Sequence, residues 1–347
     1  MLCQRTHRGI AMGHPADIVI VWPSDKEFVI APIERALRAQ GHRVTRHHEI
    51  ADAEAAGDTL LASADLLLPF PEFRCTRALI AKAPRLRGVL SPVTGIDGID
   101  LAAASAHGVI VANTLVPESH ESMAEATILF MLACLYDLRG SEHILRANLP
   151  SRKPVATMAK GKTIGLVGFG QIARAIATRL AGWDLTLLAY APRLREPMPA
   201  HVTRVELDDL MRASDVVMVL TSLTEETRNL IDARRLALLK DGASLINTAR
   251  GPIVDEAALH RRAAEGHLRA IALDVFTQEP LPADHPFRDL PNAILTGHCI
   301  GHTVDTIAAM PRAALDNVAR VLRGEAPSSV KNPDVLPAWR AKWGAQA

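Results

Sequence analysis

The stretch TIGLVGFGQIARAIATRL, residues 163–180, decides the fold class of this chain. It places a G-x-G-x-x-A pattern directly after an apolar strand and at the start of a helix. Gly168 would make the tight turn, Gly170 would let the backbone approach a pyrophosphate at the helix N-terminus, and Ala173 would keep the helix close to the strand. The pattern therefore predicts dinucleotide binding, with a tight turn that binds no ligand as the alternative.

Short apolar runs alternate with helical patterns on both sides of this motif. Such alternation is typical of an α/β fold in which helices cover both faces of a parallel sheet. We expect two doubly wound parallel-sheet domains. The predicted strands are residues 17–22, 43–48, 65–70, 87–92, 108–114, 163–169, 184–190, 215–220, 243–249, 270–276 and 293–298.

The order of these runs predicts the domain boundaries. The first domain is expected to combine residues 1–115 with residues 303–347, and the second domain, which contains the glycine loop, to occupy residues 116–302. A helix over residues 303–324, interrupted near Pro311, would return the chain to the first domain.

The composition is that of an ordinary soluble protein, with 48% hydrophobic residues, 22% charged residues and a formal net charge of +1. This balance gives no reason to expect a nucleic-acid or membrane partner. The longest apolar run, Ile128–Leu135, is far shorter than the roughly 20 residues that span a bilayer, and it predicts a buried helix. Residues 1–16 are basic without a long apolar stretch, so we expect a disordered leader there and no secretory signal.

The four cysteines, Cys3, Cys75, Cys134 and Cys299, are widely separated and form no C-x-x-C pair. This spacing argues against a disulfide framework and against a structural zinc cluster. It favours a reducing compartment, which we take to be the cytoplasm.

Polar side chains follow three predicted strands of the second series. Arg250 comes just after one strand, Asp274 and Glu279 follow the next, and His298 follows the last. Because ligands bind at the carboxyl ends of parallel strands, we expect these residues to meet at one sheet edge. Arg250 can hold a carboxylate, His298 can donate or accept a hydroxyl proton, and Glu279 can orient the imidazole. The set suits hydride transfer to a carbonyl beside a carboxylate.

At these residues the sequence resembles the D-isomer-specific 2-hydroxyacid dehydrogenases. The resemblance runs from about Asp65 to Asn332 and rests on several motifs in the same order. They are SPVTGIDGIDLAAASAHGVIVANT (91–114), GLVGFGQIA (165–173), LTSLTEETRNLI (220–231), INTARGPIVDEAAL (246–259), ALDVFTQEPL (272–281) and GHCIGHT (297–303). The implied fold is a Rossmann NAD(P)-binding domain, residues 116–302, inserted in a flavodoxin-like substrate domain, residues 1–115 and 303–347. The implied activity is NAD(P)-dependent reduction of a 2-oxo acid to the (R)-2-hydroxy acid.

The resemblance also implies a role for each candidate site residue. Arg250 would bind the substrate, Glu279 would support His298, and His298 would be the catalytic acid/base. Backbone amides at Thr94 and Gly95 would bind the substrate carboxylate, and no metal is implied. The residues that would bind the cofactor, with Asp274 near the nicotinamide carboxamide, are Gly168, Gly170, Gln171, Ile172, Ala191, Arg193, Thr248, Ala249, Asp274 and Gly301.

Some positions depart from the family pattern. Gly297 stands where a proline usually precedes the histidine, and Phe70 stands where some members carry a basic substrate-binding residue. Phe70 favours an apolar or compact substrate over a phosphorylated one. Ala191 stands where an NAD enzyme places the carboxylate that binds the ribose 2′-hydroxyl. Arg193 offers a guanidinium to a 2′-phosphate, so we expect a modest preference for NADP(H); the alternative is a solvated Arg193 and use of either cofactor.

The hexapeptide GHCIGH, residues 297–302, holds three side chains that could do chemistry. We interpret His298 as a single catalytic histidine. Cys299 is expected to pack as a small buried residue, with a reactive thiol as the alternative. His302 lies one helical turn's spacing from His298, but zinc requires a third ligand that we do not find at suitable spacing. We expect His302 to line the cofactor cleft or to cap the following helix.

A long helix is predicted from about Ser119 to Arg139. Its apolar residues occupy nearly the full circumference, so one domain surface would not cover them all. Together with the resemblance, this pattern predicts a homodimer around the helix, with a helix buried inside its own chain as the alternative.

A different class of function remains open, because a few members of the family serve as transcriptional corepressors. On that alternative the chain would be a dinucleotide-sensing interaction protein without significant turnover. No added partner-binding arm is visible and the whole catalytic set is present. The expected partner is therefore a small 2-oxo or 2-hydroxy acid.

Overall fold

The computed structural model describes residues 15–149, 155–194 and 196–344. The chain divides into two compact units. One unit is formed by the described residues up to Val116 together with those from Val304 onward, and the other runs from Pro117 to Thr303. Most of the segment interpreted as a leader lies outside the described residues.

The strands of the described residues form two parallel sheets. The strands are β1 (Asp17–Val21), β2 (Arg43–His47), β3 (Leu66–Pro69), β4 (Gly88–Ser91), β5 (Ile110–Asn113), β6 (Thr163–Val167), β7 (Thr186–Tyr190), β8 (Val202–Arg204), β9 (Val216–Val219), β10 (Ala243–Asn247), β11 (Leu268–Leu273) and β12 (Ala293–Leu295). The first sheet has the order β2-β1-β3-β4-β5, and the second has the order β12-β11-β10-β9-β6-β7-β8.

Helices connect these strands. They are α1 (Glu27–Ala39), α2 (Ile50–Ala56), α3 (Arg77–Ala81), α4 (Leu101–Ala106), α5 (Pro117–Leu135), α6 (Leu138–Arg146), α7 (Gln171–Leu180), α8 (Leu207–Ala213), α9 (Ala233–Leu236), α10 (Glu256–Ala264), α11 (Val304–Leu322) and α12 (Leu336–Trp343). No helix in the described part of the chain combines the length and the apolar content that a bilayer crossing requires.

Each sheet is buried on both faces, as continuous apolar strands require. In β9, Val216 and Met218 belong to one hydrophobic core of their unit, while Val217 and Val219 belong to the other. Residues 18–21 of β1 alternate between two cores in the same way. The predicted α/β fold class with two doubly wound parallel sheets is therefore confirmed.

The predicted strands are present with ends shifted by a few residues, but β8 was not predicted. This short strand pairs with β7 at the edge of the second sheet, where Leu187 lies opposite Val202. Only Val202 is buried among its residues. A strand with a single buried residue produces no apolar run that sequence periodicity could detect.

The helix predicted over residues 119–139 ends earlier, at Leu135. Asp137 adopts the left-handed conformation with φ 46°, and its carboxylate caps the start of α6 by accepting a backbone hydrogen bond of 3.1 Å. The Arg269 guanidinium, from β11, donates to the carbonyl oxygens of Cys134 at 3.3 Å and Leu135 at 3.1 Å. The predicted C-terminal end of the helix was wrong, because the Arg269 side chain, which is distant in the sequence, donates hydrogen bonds to the last carbonyl groups of α5.

The predicted interruption at Pro311 is also wrong, because α11 continues through that residue. A proline inside a helix removes one backbone hydrogen bond and costs about 3 kcal/mol. Met310, Ala314 and Val318 lie on both sides of the proline and are buried in the same core of the first unit. Burial of a large apolar side chain contributes about 1.5–3 kcal/mol, so this continuous stripe offsets the lost bond.

Candidate active site

The glycine loop joins β6 to α7. Gly168 has φ 101°, and a Cβ added there would lie 2.8 Å from the backbone nitrogen of Thr221, so only glycine fits. A Cβ added to Gly170 would meet nothing within 4 Å, which leaves open space above the loop. Ala173 is fully buried in the core. The three positions therefore have the geometry of a tight turn, an open approach and close helix packing.

The start of α7 is suited to bind an anion. Gly170 is the N-cap residue, and within the described residues no side chain caps this helix. The amides of Gln171 and Ile172 lie in the first turn, where helix geometry supplies no acceptor. The helix dipole adds partial positive charge at the same place. The loop thus fits the pyrophosphate of a dinucleotide.

The end of β7 lies beside this loop, where the ribose of a dinucleotide binds in such folds. Ala191 follows β7 directly and is buried in the core, so no carboxylate is presented at that position. Arg193 is exposed, and its Nη2 donates to both carboxylate oxygens of Glu226 at 2.7 Å. This pairing was not predicted from the sequence, because Glu226 lies in a loop after a different strand.

His298 and Glu279 form a hydrogen-bonded pair. Nδ1 of His298 lies 2.8 Å from Oε2 of Glu279. The other carboxylate oxygen accepts the backbone N–H of Phe276 at 2.9 Å. Because the carboxylate occupies Nδ1, we assign the proton on that bond to Nδ1, and Nε2 is left to exchange a proton with a ligand.

The pKa of the Glu279 carboxyl lies below its ordinary value of 4.5. Burial alone would raise this pKa, but the hydrogen bonds from His298 and Phe276 and the charge of Arg250 outweigh the burial. Glu279 is therefore ionised at neutral pH and remains a hydrogen-bond acceptor for the imidazole.

Buried Asp274 holds the loop that carries His298. Its Oδ1 accepts hydrogen bonds from the Thr296 hydroxyl at 2.5 Å and from the amides of Cys299 and Ile300 at 3.0 and 3.2 Å. Its backbone carbonyl accepts the N–H of His298 at 2.7 Å. This role of Asp274 in holding the loop was not predicted from the sequence, and its placement beside the nicotinamide stays a prediction.

His298 has φ 55°, a left-handed conformation that residues other than glycine rarely adopt. Gly297, which precedes it, lies outside this region of positive φ, and a Cβ added there would meet nothing within 4 Å. The unusual backbone conformation is therefore carried by His298 itself. The glycine that replaces the family's proline is not required by the geometry.

The Arg250 loop packs against the loop of Glu279. The Asn247 side chain accepts the amide two residues on and donates to the carbonyl oxygen of Arg250, each at 3.0 Å. A Cβ added to Gly251 would overlap the backbone of Phe276, so the two loops are in direct contact. The role of Asn247 and Gly251 in bracing the loop was not predicted from the sequence. An asparagine ending a buried strand was the available signal for Asn247.

Two residues predicted to bind the cofactor, Thr248 and Gly301, are hydrogen-bonded to side chains of α5. The Thr248 hydroxyl lies 3.1 Å from the Thr127 hydroxyl, and the carbonyl oxygen of Gly301 accepts the Ser122 hydroxyl at 2.8 Å. A Cβ added to Gly301 would overlap the sulfur of Met123. The role of the α5 hydroxyls in holding these residues was not predicted from the sequence. The available signal was the presence of Ser122 and Thr127 in a long helix that is otherwise largely apolar.

Cys299 is exposed, so the prediction that it packs as a small buried residue is wrong. Its amide and that of Ile300 face the carboxylate of Asp274, and this turn directs the thiol outward. The N–H of His302 donates to the carbonyl oxygen of Cys299 at 2.9 Å. Across the described residues, no three His, Cys, Asp or Glu side chains come together in a way that could hold a metal ion.

In the first unit, the loop after β4 presents the amides of Thr94 and Gly95. The carbonyl oxygen of Thr94 accepts Asn113 Nδ2 at 2.6 Å, and that of Gly95 accepts the Ser91 hydroxyl at 2.7 Å. No acceptor among the described residues is paired with either amide. Neighbouring free N–H groups of this kind are suited to a carboxylate.

Phe70 follows β3 and is buried in the core of the first unit. Its ring packs edge-on against Trp22 at 4.9 Å between centroids. The exposed Lys26 places its Nζ 4.4 Å from the centre of the Phe70 ring. Phe70 is therefore a core residue, and the exposed group over its ring is the ammonium group of Lys26.

Known proteins resemble this chain over most of its length. The family model for the D-isomer specific 2-hydroxyacid dehydrogenase, NAD binding domain, matches residues 128–299. Glyoxylate reductase of Thermofilum pendens is 35% identical over 301 residues, which cover 83% of this chain and 88% of that protein. D-3-phosphoglycerate dehydrogenase of Methanocaldococcus jannaschii is 32% identical over 283 residues, which cover 80% of this chain but 53% of that protein.

A solved structure is similar over both units. The NAD-dependent formate dehydrogenase from Staphylococcus aureus, in complex with NAD, has 31% sequence identity and a TM-score of 0.74. The match covers 88% of this chain and 95% of that chain. The names of these relatives specify different substrates, so similarity alone selects none of them.

Proposed function

We propose that this chain, which belongs to the D-isomer specific 2-hydroxyacid dehydrogenase family, interconverts a 2-oxo acid and an (R)-2-hydroxy acid with NAD(P) as cofactor. The observation that carries the proposal is the 2.8 Å bond between His298 Nδ1 and Glu279 Oε2. This pair belongs to the same compact unit as Arg250 and the glycine loop. Bound NAD(P)H would supply the hydride for the substrate's carbonyl carbon.

His298 is the proposed acid/base. In the reduction, Nε2 gives its proton to the carbonyl oxygen, which becomes the hydroxyl group. In the oxidation, Nε2 takes that proton back. Glu279 stays ionised, holds Nδ1–H and keeps the ring oriented, as an acidic partner does for other catalytic histidines.

Arg250 is the proposed clamp for the substrate carboxylate. A guanidinium offers two parallel N–H donors that match the two carboxylate oxygens. Asn247 and Gly251 brace its loop against the loop of Glu279, which holds the bound carboxylate near the acid/base pair. In the other unit, the amides of Thr94 and Gly95 are by themselves suited to a carboxylate.

NADPH is the proposed preferred cofactor, by a modest margin. The uncapped start of α7 accommodates the pyrophosphate shared by both cofactors. Buried Ala191 presents no carboxylate to repel a 2′-phosphate, and exposed Arg193 presents a guanidinium. The similarity to a glyoxylate reductase supports a small 2-oxo acid as substrate and reduction as the working direction.

Steady-state oxidation of NADPH and NADH with a panel of 2-oxo acids tests this proposal. Glyoxylate, pyruvate, hydroxypyruvate and phosphohydroxypyruvate cover small, hydroxylated and phosphorylated substrates. We expect turnover with at least one of them, yielding the (R)-2-hydroxy acid wherever the product is chiral. Cofactor binding without turnover of any 2-oxo acid would favour the dinucleotide-sensing interaction protein.

A homodimer around α5 and α6 is a further part of the proposal. Leu129 on α5 is 52% exposed, so this helix is not wholly buried in its own chain. Tyr136, Leu138 and Leu145 continue the exposed apolar surface along the chain into α6. An exposed apolar surface of this kind marks a contact site, and a second copy of the chain is the occupant that the family resemblance favours.

A further inference from the structure

We infer that Glu226 is a specificity-determining residue that weakens the preference for NADPH by holding Arg193 away from the cofactor's 2′-phosphate. The inference rests on the proposed function, since it concerns the ribose end of the same cofactor site. The carboxylate that discriminates between the cofactors would then come from the loop after β9. It would replace the acidic residue that the family places directly after β7.

The ribose end of the site is rich in guanidinium groups. Arg193 follows β7, and Arg204 closes the neighbouring strand β8, where it lies opposite Ala189. Nη2 of Arg204 lies 3.5 Å from the carbonyl oxygen of Pro192, so it borders the same loop. Arg204 thus adds a second guanidinium to the loop that carries Arg193.

Glu226 neutralises Arg193. Both carboxylate oxygens accept Nη2 of Arg193 at 2.7 Å. The two side chains are 76% and 67% exposed, so neither is locked by packing and the pair can open when a ligand competes for the guanidinium. A 2′-phosphate carries about two negative charges at neutral pH, and it would both compete with Glu226 for Arg193 and be repelled by it.

The backbone of the turn that carries Glu226 is held by internal hydrogen bonds, so the carboxylate stays within reach of the loop even when Arg193 moves. The Thr227 hydroxyl donates to the carbonyl oxygen of Ser222 at 2.7 Å, and the same hydroxyl accepts the N–H of Thr224 at 2.7 Å. The negative charge of Glu226 therefore stays in this region whether or not Arg193 is paired with it, and it would repel the 2′-phosphate of NADPH.

The neighbouring Glu225 supplies a matched control. It lies on the same turn and is exposed, but it pairs with Arg228 at 3.4 Å and not with Arg193. Glu225→Gln removes the same charge from the same turn and leaves the Arg193 contact intact. A general electrostatic effect would appear in both variants, whereas a direct effect would appear in Glu226→Gln alone.

Calorimetric binding of adenosine 2′,5′-bisphosphate and 5′-AMP tests the inference without turnover. Glu226→Gln should tighten binding of the bisphosphate by roughly three- to tenfold, since exposed charge pairs are screened and modest. It should leave 5′-AMP binding unchanged, and Glu225→Gln should change neither. Adding Arg193→Ala to Glu226→Gln should remove the gain. The NADPH to NADH ratio of kcat/KM should follow the same order.

Two results would overturn the inference in distinguishable ways. If Glu226→Gln and Glu225→Gln had equal effects while both nucleotides bound, Glu226 would be an ordinary surface residue and the proposed function would stand. If neither nucleotide bound to the wild-type protein, the cofactor site itself would be misassigned. The proposed function would then fail together with the role of Glu226.

Discussion

Nδ1 of His298 lies 2.8 Å from Oε2 of Glu279, and the second oxygen of that carboxylate is held by the amide of Phe276. The imidazole is therefore oriented by a group that the backbone itself fixes. Asp274 adds a second constraint, because its carbonyl oxygen accepts the N–H of His298. Glu279 thus positions the ring of the proposed acid/base, and Asp274 positions its backbone.

Replacing His298 by asparagine is expected to lower kcat by about 100- to 10,000-fold, the usual contribution of a positioned general acid. Asparagine tolerates the left-handed backbone of His298, so the loop should keep its shape. Fluorescence titration should show unchanged NADPH affinity. His302→Asn is the control and should keep most of the activity. A larger loss at His302 would move the acid/base role to that residue.

Glu279→Gln is expected to reduce both kcat and stability in a pH-dependent way. Because the native pKa of Glu279 lies below 4.5, its charged form stabilises the fold above that value, and this contribution is lost as the pH falls through the lowered native pKa. The Tm difference between wild type and Glu279→Gln should therefore be present at neutral pH and shrink in acid. Thermal denaturation across this range checks the sign, and a difference that widened in acid would contradict it.

Asp274→Ala is expected to loosen the His298 loop. The substitution leaves the Thr296 hydroxyl and the amides of Cys299 and Ile300, which are partly buried, without their acceptor. A fully buried donor without an acceptor costs about 1–3 kcal/mol, so each of these donors costs less than that. Tm and kcat should both fall, and Asp274→Asn should restore part of each because it retains Oδ1. An unchanged Tm with a raised KM for the cofactor would instead favour a nicotinamide contact as the main role.

Gly297→Ala is expected to be tolerated and to stabilise the protein by about 0.4–1 kcal/mol, because it restricts the unfolded chain at a position that has room for a Cβ. Gly251→Ala is the contrasting variant, since its Cβ would overlap the backbone of Phe276. It should lower both Tm and kcat by separating the Arg250 and Glu279 loops. Urea denaturation of both variants tests this ranking, and equal effects would contradict the geometry.

Leu129→Glu is expected to convert a dimer into monomers, because it places a charge within the exposed apolar surface of α5 and α6. Sedimentation velocity at micromolar concentration measures the result. Val304→Glu, at an exposed apolar residue of the first unit, is the control and should leave the dimer intact. A wild-type chain that sediments only as a monomer would rule out the homodimer.

Local sequence patterns were sufficient to predict the fold class. The glycine loop, the buried strands and the polar residues at their carboxyl ends all depend on residues close together in the sequence, and their order along the chain determines the sheet edge at which they meet. His298 and Glu279 were found in this way, from two neighbouring strand ends, and the structure places them in contact.

Features that depend on distant partners could not be predicted. The end of α5 depends on Arg269, and the surroundings of Arg193 depend on Glu226. Cys299 was expected to be buried because cysteine usually is, but the buried carboxylate of Asp274 draws the neighbouring amides inward and leaves the thiol outside. In each case the outcome depends on a polar partner that is distant in the sequence: Arg269, Glu226 or Asp274.

The split of the first unit has a consequence for the order in which the protein is built on the ribosome. Its core includes the apolar face of α11, and Val111 of its edge strand β5 accepts the N–H of Lys331 and donates to the side-chain oxygen of Asn332. These partners are synthesised only after the whole second unit, which is one unbroken stretch of chain. The part that is translated first is therefore completed last, and its nascent sheet leaves the ribosome with one core face and one edge uncovered.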